Sequence, residues 1–333
     1  MPGDRSVYVY DPMDEPLDWL RERGVSVTLG APEFSTGQMR PKVPEDALIE
    51  AARGNTALMG ASGTRITRRV MEAMPELRYI SKLGIGCEVI DLKAATDHGI
   101  RVTNTPVRGE VALVAEHTIA LMLGLLKKVN VYANGWVRGG GWKDPQHMSG
   151  SLRDATVGIV GFGHIGRAVA QRLQGWGARV LVSDVRLVTD ISGVVQVDLE
   201  TLLRTADVVT LHTPGLPAGT RPLLDTERLA LLKPTAVLVN TARGNLIDTG
   251  ALTDRLRRGL LAGAGLDVYD PEPPDQQHPL LGLPNVLLTP HAAAWNRPLR
   301  KEMAMLAFEN LLTMFDGGVP DSLVNREVLE ASR

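Results

Sequence analysis

Apolar and polar positions along the chain follow two rhythms, and each predicts one kind of element. Short runs rich in valine, isoleucine and leucine recur at residues 7–10, 25–29, 56–59, 77–83 and 100–103. Bounded by turn residues, such runs read as strands. Between them, residues 17–23, 46–52, 67–74 and 91–96 place apolar side chains at helical spacing, and Gly24 and Gly99 sit where helices would stop. Strands that alternate with helices predict a parallel sheet covered on both faces.

A second series begins near residue 150. Strands are predicted over residues 156–160, 179–183, 208–212, 236–241, 262–268 and 286–289. Helices are predicted over 165–176, 199–204, 227–232, 249–258 and 299–315. Residues 156–160 are apolar almost throughout, as befits a strand buried on both faces. Ile165, Val169 and Leu173 form one helical stripe. A long apolar stretch, residues 111–126, joins the two series, and a glycine-rich connector follows at 139–142. The last helix ends at Gly317 and Gly318 and is expected to return to the first series, where its apolar face finds cover. The fold class read from this pattern is α/β, with two doubly wound parallel-sheet domains and a cleft between them.

Composition narrows the function. A chain of 333 residues is long for one core and suggests two domains of about 150 residues each. The net charge of -2 supplies no field for gripping nucleic acid or an anionic membrane. Cys87 is the only cysteine, which rules out an intrachain disulfide and a cysteine-rich metal site; no metal is expected. The first residues lack the apolar core of a signal peptide. Residues 111–126 are interrupted by Glu116 and His117 and fall short of the roughly 20 residues of a membrane span. A cytoplasmic enzyme acting on small molecules is the resulting expectation.

The strongest local signal follows the strand at 156–160. Gly161, Gly163 and Gly166 fit G-x-G-x-x-G, with a strand before and an amphipathic helix after. Gly161 permits a tight turn, Gly163 lets backbone approach a pyrophosphate, and Gly166 lets helix and strand pack closely. The first helical residues, His164 and Ile165, present N–H groups to the phosphates. The next strand ends at Asp184, placed to accept from a ribose 2′-hydroxyl and to repel a 2′-phosphate. NAD is thereby favoured. NADP stays open because Arg186 lies two residues on.

Ligands in open α/β sheets bind beyond the carboxyl ends of the strands. Four later strands end in polar groups: His212-Thr213-Pro214, Thr241-Ala242-Arg243, Asp267 with the Glu272 loop behind it, and Thr289-Pro290-His291. Reducing a 2-keto acid requires a cation to orient the substrate and an acid to protonate the forming alkoxide. Arg243 supplies the planar fork. His291 titrates near neutral pH. Glu272 pairs with the imidazolium and raises its pKa. His164 counts for its backbone, and His117, on an apolar helix, reads as a packed histidine.

These residues resemble the D-isomer-specific 2-hydroxyacid dehydrogenases. Val239-Asn240-Thr241-Ala242-Arg243-Gly244, Gly265-Leu266-Asp267-Val268-Tyr269 with Glu272-Pro273, and Thr289-Pro290-His291 are similar to that family's signatures. So are the stretch from Gly84 to Asp91, Val102 to Pro106, Val114-Ala115-Glu116-His117 and Val324-Asn325. The resemblance implies a flavodoxin-like substrate-binding domain over residues 1–103 with 297–333, and a Rossmann NAD-binding domain over 104–296. It implies Arg243, Glu272 and His291 as the catalytic trio, with backbone N–H groups at Gly84 and Ile85 holding the substrate carboxylate. Asp267 would hold the nicotinamide carboxamide, and His212, Thr213, Pro214, Thr241 and Ala242 would line the cofactor cleft. The implied assembly is a homodimer joined through the region after the long linker helix.

Departures bear on the substrate. Glu88 and Val89 stand where the family has Asp and Asn, and Trp295 follows His291 where a smaller residue is usual. Ala61 stands where phosphoglycerate-using relatives carry Arg, although Arg65 is near, and Ile85 stands where phosphite-oxidising relatives carry Lys. The expected reaction interconverts a glyoxylate-, hydroxypyruvate- or pyruvate-like keto acid and its D-2-hydroxy acid. The alternatives are a formate- or phosphite-type dehydrogenase, and an NADH-sensing, corepressor-like binding protein.

Overall fold

A computed structural model describes residues 5–11, 16–30, 43–61, 63–132, 136–188, 192–217 and 219–330. The signal-peptide reading rests mainly on residues 1–4, which lie outside them. The chain divides into two compact units, Met1–Arg108 with Asn296–Arg333, and Gly109–Trp295.

The first unit alternates β1 (Ser6–Val9), α1 (Asp18–Arg21), β2 (Ser26–Leu29), α2 (Glu45–Ala52), β3 (Ala57–Gly60), α3 (Arg68–Glu72), β4 (Tyr79–Lys82), α4 (Leu92–Asp97) and β5 (Arg101–Thr103). All strand pairs are parallel, in the order β2-β1-β3-β4-β5, the doubly wound flavodoxin-like arrangement. Val7, Val9, Leu58, Ile80 and Val102 are fully buried, as strands with helices on both faces require. The chain's last helix, Arg297–Phe315, closes this unit. Its Ala307 carbonyl accepts from Ser81 Oγ at 3.1 Å, and Phe308 stacks on Trp19 at 5.9 Å. Beyond that helix, the buried Asn325 caps the edge. Its Oδ1 accepts from Val102 N–H, and its Nδ2 donates to Thr96 Oγ1 and the Ile100 carbonyl.

The second unit opens with α5 (Arg108–Leu126) and α6 (Val129–Tyr132). It continues through β6 (Thr156–Val160), α7 (His164–Leu173), β7 (Arg179–Ser183), β8 (Val194–Gln196), α8 (Leu199–Thr205) and β9 (Val208–Leu211). Then come α9 (Thr226–Leu229), β10 (Val237–Asn240), α10 (Thr249–Arg257), β11 (Gly263–Leu266) and β12 (Val286–Leu288); the closing helix is α11. The seven parallel strands run β12-β11-β10-β9-β6-β7-β8. This is the dinucleotide-binding order with one added strand, and the chain reverses direction between β6 and β9. A ligand crevice belongs at the carboxyl ends of those two strands.

Two differences from the sequence reading have physical causes. The apolar pattern does not predict β8, because three half-exposed residues after a Ser-Gly turn show no periodicity. The helix expected over 165–176 ends at Leu173 and tightens into a 3-10 turn that Gly177 stops in the left-handed region, φ 72.

Candidate active site

The glycine loop is built as its spacing requires. Gly161 has φ 89, and a Cβ there would lie 2.7 Å from the His212 carbonyl group. A Cβ on Gly166 would lie 2.3 Å from the Gly161 oxygen, so only glycine lets α7 start this close to β6. Gly163 meets nothing within 4 Å, leaving the loop open on the side a pyrophosphate would take. The first turn of α7 has N–H groups without helical acceptors, aimed at that opening. Asp184, at the end of β7, accepts from Phe162 N–H at 2.6 Å and Arg186 N–H at 2.8 Å. Partial burial opposes its charge, but those bonds and the Arg186 and Arg167 guanidiniums override it and hold the carboxyl below its usual range. Gln196 of β8 fixes the same turn by donating to the Asp184 and Arg186 carbonyls.

At the next strand end, His212 Nε2 lies 3.0 Å from Thr210 Oγ1, while burial pushes the imidazole pKa down to about 3. The ring is neutral at any working pH. His212 Nδ1 and Thr213 Oγ1 are buried without a hydrogen-bond partner, an unusual condition beside a cleft. An open glycine loop, an ionised ribose-side carboxylate and unpartnered polar atoms at the switch point all fit NAD.

The catalytic candidates assemble within the same unit. His291 and Glu272 share a 2.8 Å hydrogen bond between Nδ1 and Oε2. Glu272 is also fixed by Tyr269 N–H at 2.8 Å. Burial works against the Glu272 charge, but the His291 bond and its charge, with Tyr269 N–H and Arg243, hold the carboxyl below its usual range. An ionised carboxylate only accepts, so Nδ1 carries the proton and Nε2 is left to exchange with substrate. The Glu272 bond raises the His291 pKa, against the opposing effects of burial and Arg243. Arg243 thus lies close enough for its charge to act on both partners. Its own Nη1 donates to the Ala242 carbonyl at 2.7 Å. His291 adopts φ 51, a left-handed backbone rare for a residue with a Cβ and typical of functional sites.

Asp267 is buried beneath this loop. Its carboxylate accepts from Thr289 Oγ1 at 2.6 Å, Ala292 N–H at 2.8 Å and Ala293 N–H at 2.9 Å. The site therefore draws in Tyr269, which the strand-end argument passed over, and gives Thr289 of the strand-end set a role as donor to Asp267. Tyr269 Oη shares its single proton between the Leu266 and Thr289 carbonyls, 3.1 and 3.0 Å away. His117 is not simply packed: Nε2 lies 3.0 Å from Thr289 Oγ1.

Gly84 and Ile85 lie in the other unit. Gly84 has φ 95, and its N–H donates to Thr105 Oγ1 at 2.7 Å, so that donor is committed inside the unit. The Ile85 carbonyl accepts from Asn104 Nδ2 at 2.9 Å, which fixes the turn. Trp295 is 62% exposed. Among the described residues, no cluster of histidine, cysteine and carboxylate side chains is suited to hold a metal.

The fold and the strand-end constellation define a dinucleotide-dependent oxidoreductase. Residues 119–293 match the family model of the D-isomer specific 2-hydroxyacid dehydrogenase NAD-binding domain. The chain is 41% identical to a glyoxylate reductase of Aeropyrum pernix over 86% of this chain and 88% of that protein. It is 40% identical to a glyoxylate reductase of Korarchaeum cryptofilum over 93% and 95%. The crystal structure of the TT0316 protein of Thermus thermophilus superposes with a TM-score of 0.85 at 39% identity, covering 96% of this chain and 99% of that one. The chain belongs to the D-isomer-specific 2-hydroxyacid dehydrogenase family and is an NAD-dependent enzyme of that class.

Proposed function

We propose that this enzyme reduces a small 2-keto acid, with glyoxylate as the first choice and hydroxypyruvate and pyruvate as close analogues. The glyoxylate reductase relatives support the choice of acid. The observation that carries the chemistry is the His291–Glu272 pair, which fixes the tautomer and raises the imidazole pKa. The Gly161–Gly166 loop and Asp184 would hold NADH, which when bound would supply a hydride for the carbonyl carbon. His291 Nε2 gives its proton to the carbonyl oxygen as the alkoxide forms. Arg243 orients the carboxylate and carbonyl through its fork. The turn at Gly84 and Ile85 offers Ile85 N–H as a further donor for a carboxylate. His212, Thr213, Pro214, Thr241, Ala242 and Asp267 would border the nicotinamide end of a bound cofactor, where the neutral His212 would add no charge.

NADH oxidation with glyoxylate, hydroxypyruvate and pyruvate, run beside NAD reduction with formate and phosphite, tests the reading. Turnover of glyoxylate is expected. Turnover of formate or phosphite with no 2-keto acid reduced would overturn it. The segment after α5 carries the exposed Val129, Val137, Trp142 and Met148, which supports a homodimer joined there. A monomer in sedimentation velocity would refute the dimer.

A further inference from the structure

Helix α5 reaches the strand ends of the nucleotide-binding unit with two adjacent polar side chains, and each lands two residues before a catalytic one. Thr118 Oγ1 donates to the Val114 carbonyl at 2.7 Å, which leaves its oxygen to accept from the Thr241 hydroxyl 2.8 Å away. Thr241 is two residues before Arg243. His117 Nε2 lies 3.0 Å from Thr289 Oγ1, and Thr289 is two residues before His291. Because Thr289 donates its own proton to Asp267, its oxygen is the acceptor and His117 is the donor. Asp267 then fixes the Ala292 and Ala293 N–H groups that follow His291. The left-handed backbone of His291 is therefore held by a chain of hydrogen bonds that starts on α5.

The helix comes this close because glycines face it. A Cβ on Gly265 of β11 would lie 3.1 Å from Leu121 Cβ, and one on Gly124 of α5 would lie 2.6 Å from Leu287 of β12. Apolar packing of Ala115, Leu121, Met122 and Leu125 already anchors α5. The polar pair is thus not needed to attach the helix, and its bonds go to the two strand ends that carry the reaction. A displacement of about 1 Å at a catalytic group lowers rate strongly, so such a clamp has kinetic consequences.

We propose that His117 and Thr118 are positioning residues that set the reach of His291 and Arg243 from one rigid helix. This rests on the roles assigned to His291 and Arg243 above. The experiment measures glyoxylate reduction and NADH affinity in five variants. His117→Leu should lower kcat about tenfold, with KM and the NADH Kd within about twofold. His117→Gln keeps an N–H donor to Thr289 and should recover most of the rate. Thr289→Val cuts the same link from the other side and should match His117→Leu, while the double variant is no worse than either single one. Thr118→Val should instead raise KM for glyoxylate about fivefold, because it loosens Arg243 and not His291.

A wild-type kcat in His117→Leu, equal losses in the Leu and Gln variants, losses in His117→Leu and Thr289→Val that add, or a wild-type KM in Thr118→Val would overturn the proposal. If His117→Leu does not fold, Thr289→Val against Thr289→Ser carries the same expectation and the same refutation. Loss of turnover in His291→Ala beside a normal His117→Leu discards the clamp alone. Normal turnover in His291→Ala discards the acid assignment and the clamp with it.

Discussion

Each candidate catalytic side chain gains its property from a specific neighbour. His291, the proposed acid, has an ionised Glu272 on Nδ1 that raises its pKa. Reduction needs the imidazolium, so kcat/KM should hold below the His291 pKa and fall as pH rises through it. Glu272→Gln removes the carboxylate that raises this pKa. The fall should therefore move to lower pH, and a pH profile with an unmoved limb would show that Glu272 does not tune the acid. In the proposed mechanism Arg243 orients the substrate through its planar fork, so Arg243→Lys should lower kcat/KM for glyoxylate by about tenfold or more while leaving NADH affinity near wild type. Asp184 is ionised and faces the loop, so Asp184→Ala should shift the ratio of NAD to NADP efficiency towards NADP. An unchanged ratio would remove Asp184 from the ribose site.

At the scale of elements, much of the architecture was legible in the sequence because buried parallel strands are continuous apolar runs. The strands at Thr156–Val160 and Arg179–Ser183 fall where the pattern places them. Strand β8 was illegible because it is short and half-exposed, although Gln196 there braces the ribose turn. The juxtaposition of His291, Glu272 and Arg243 was legible because each ends or follows a strand. The supporting contacts of Thr289, Tyr269 and His117 were not, since they depend on which helix crosses which strand end. The committed N–H of Gly84 was hidden for the same reason: Thr105 is distant in sequence and meets it only through the β4–β5 pairing. α5 meets the length and apolarity of a membrane span, yet its Ala115, Leu121, Met122 and Leu125 pack with Val157, Ile159 and Val239 of the sheet. It is a core helix. Gly161→Ala would force a Cβ into the His212 backbone at a positive φ, and NADH binding should be lost. In the other unit, Asn325→Ala would strip partners from Val102 N–H and Ile100 C=O, costing about 2–3 kcal/mol in denaturant unfolding.

For the whole molecule, the two units carry separable tasks. The unit Gly109–Trp295 contains the glycine loop, Asp184, Arg243, Glu272 and His291, so the proposed cofactor binding and acid–base chemistry fall within one body. The other unit carries the turn at Gly84 and Ile85, set by a positive φ and by Thr105 and Asn104. NADH at about a hundred times its Kd should stabilise the folded enzyme by roughly 2.7 kcal/mol, and Gly161→Ala should abolish that gain in a melting experiment. The most direct test of the whole account is the single-turnover rate of glyoxylate reduction by His291→Gln preloaded with NADH. The account predicts a loss of about 10²- to 10⁴-fold with the NADH Kd unchanged. A rate within about tenfold of the native enzyme would mean that the proton comes from another group.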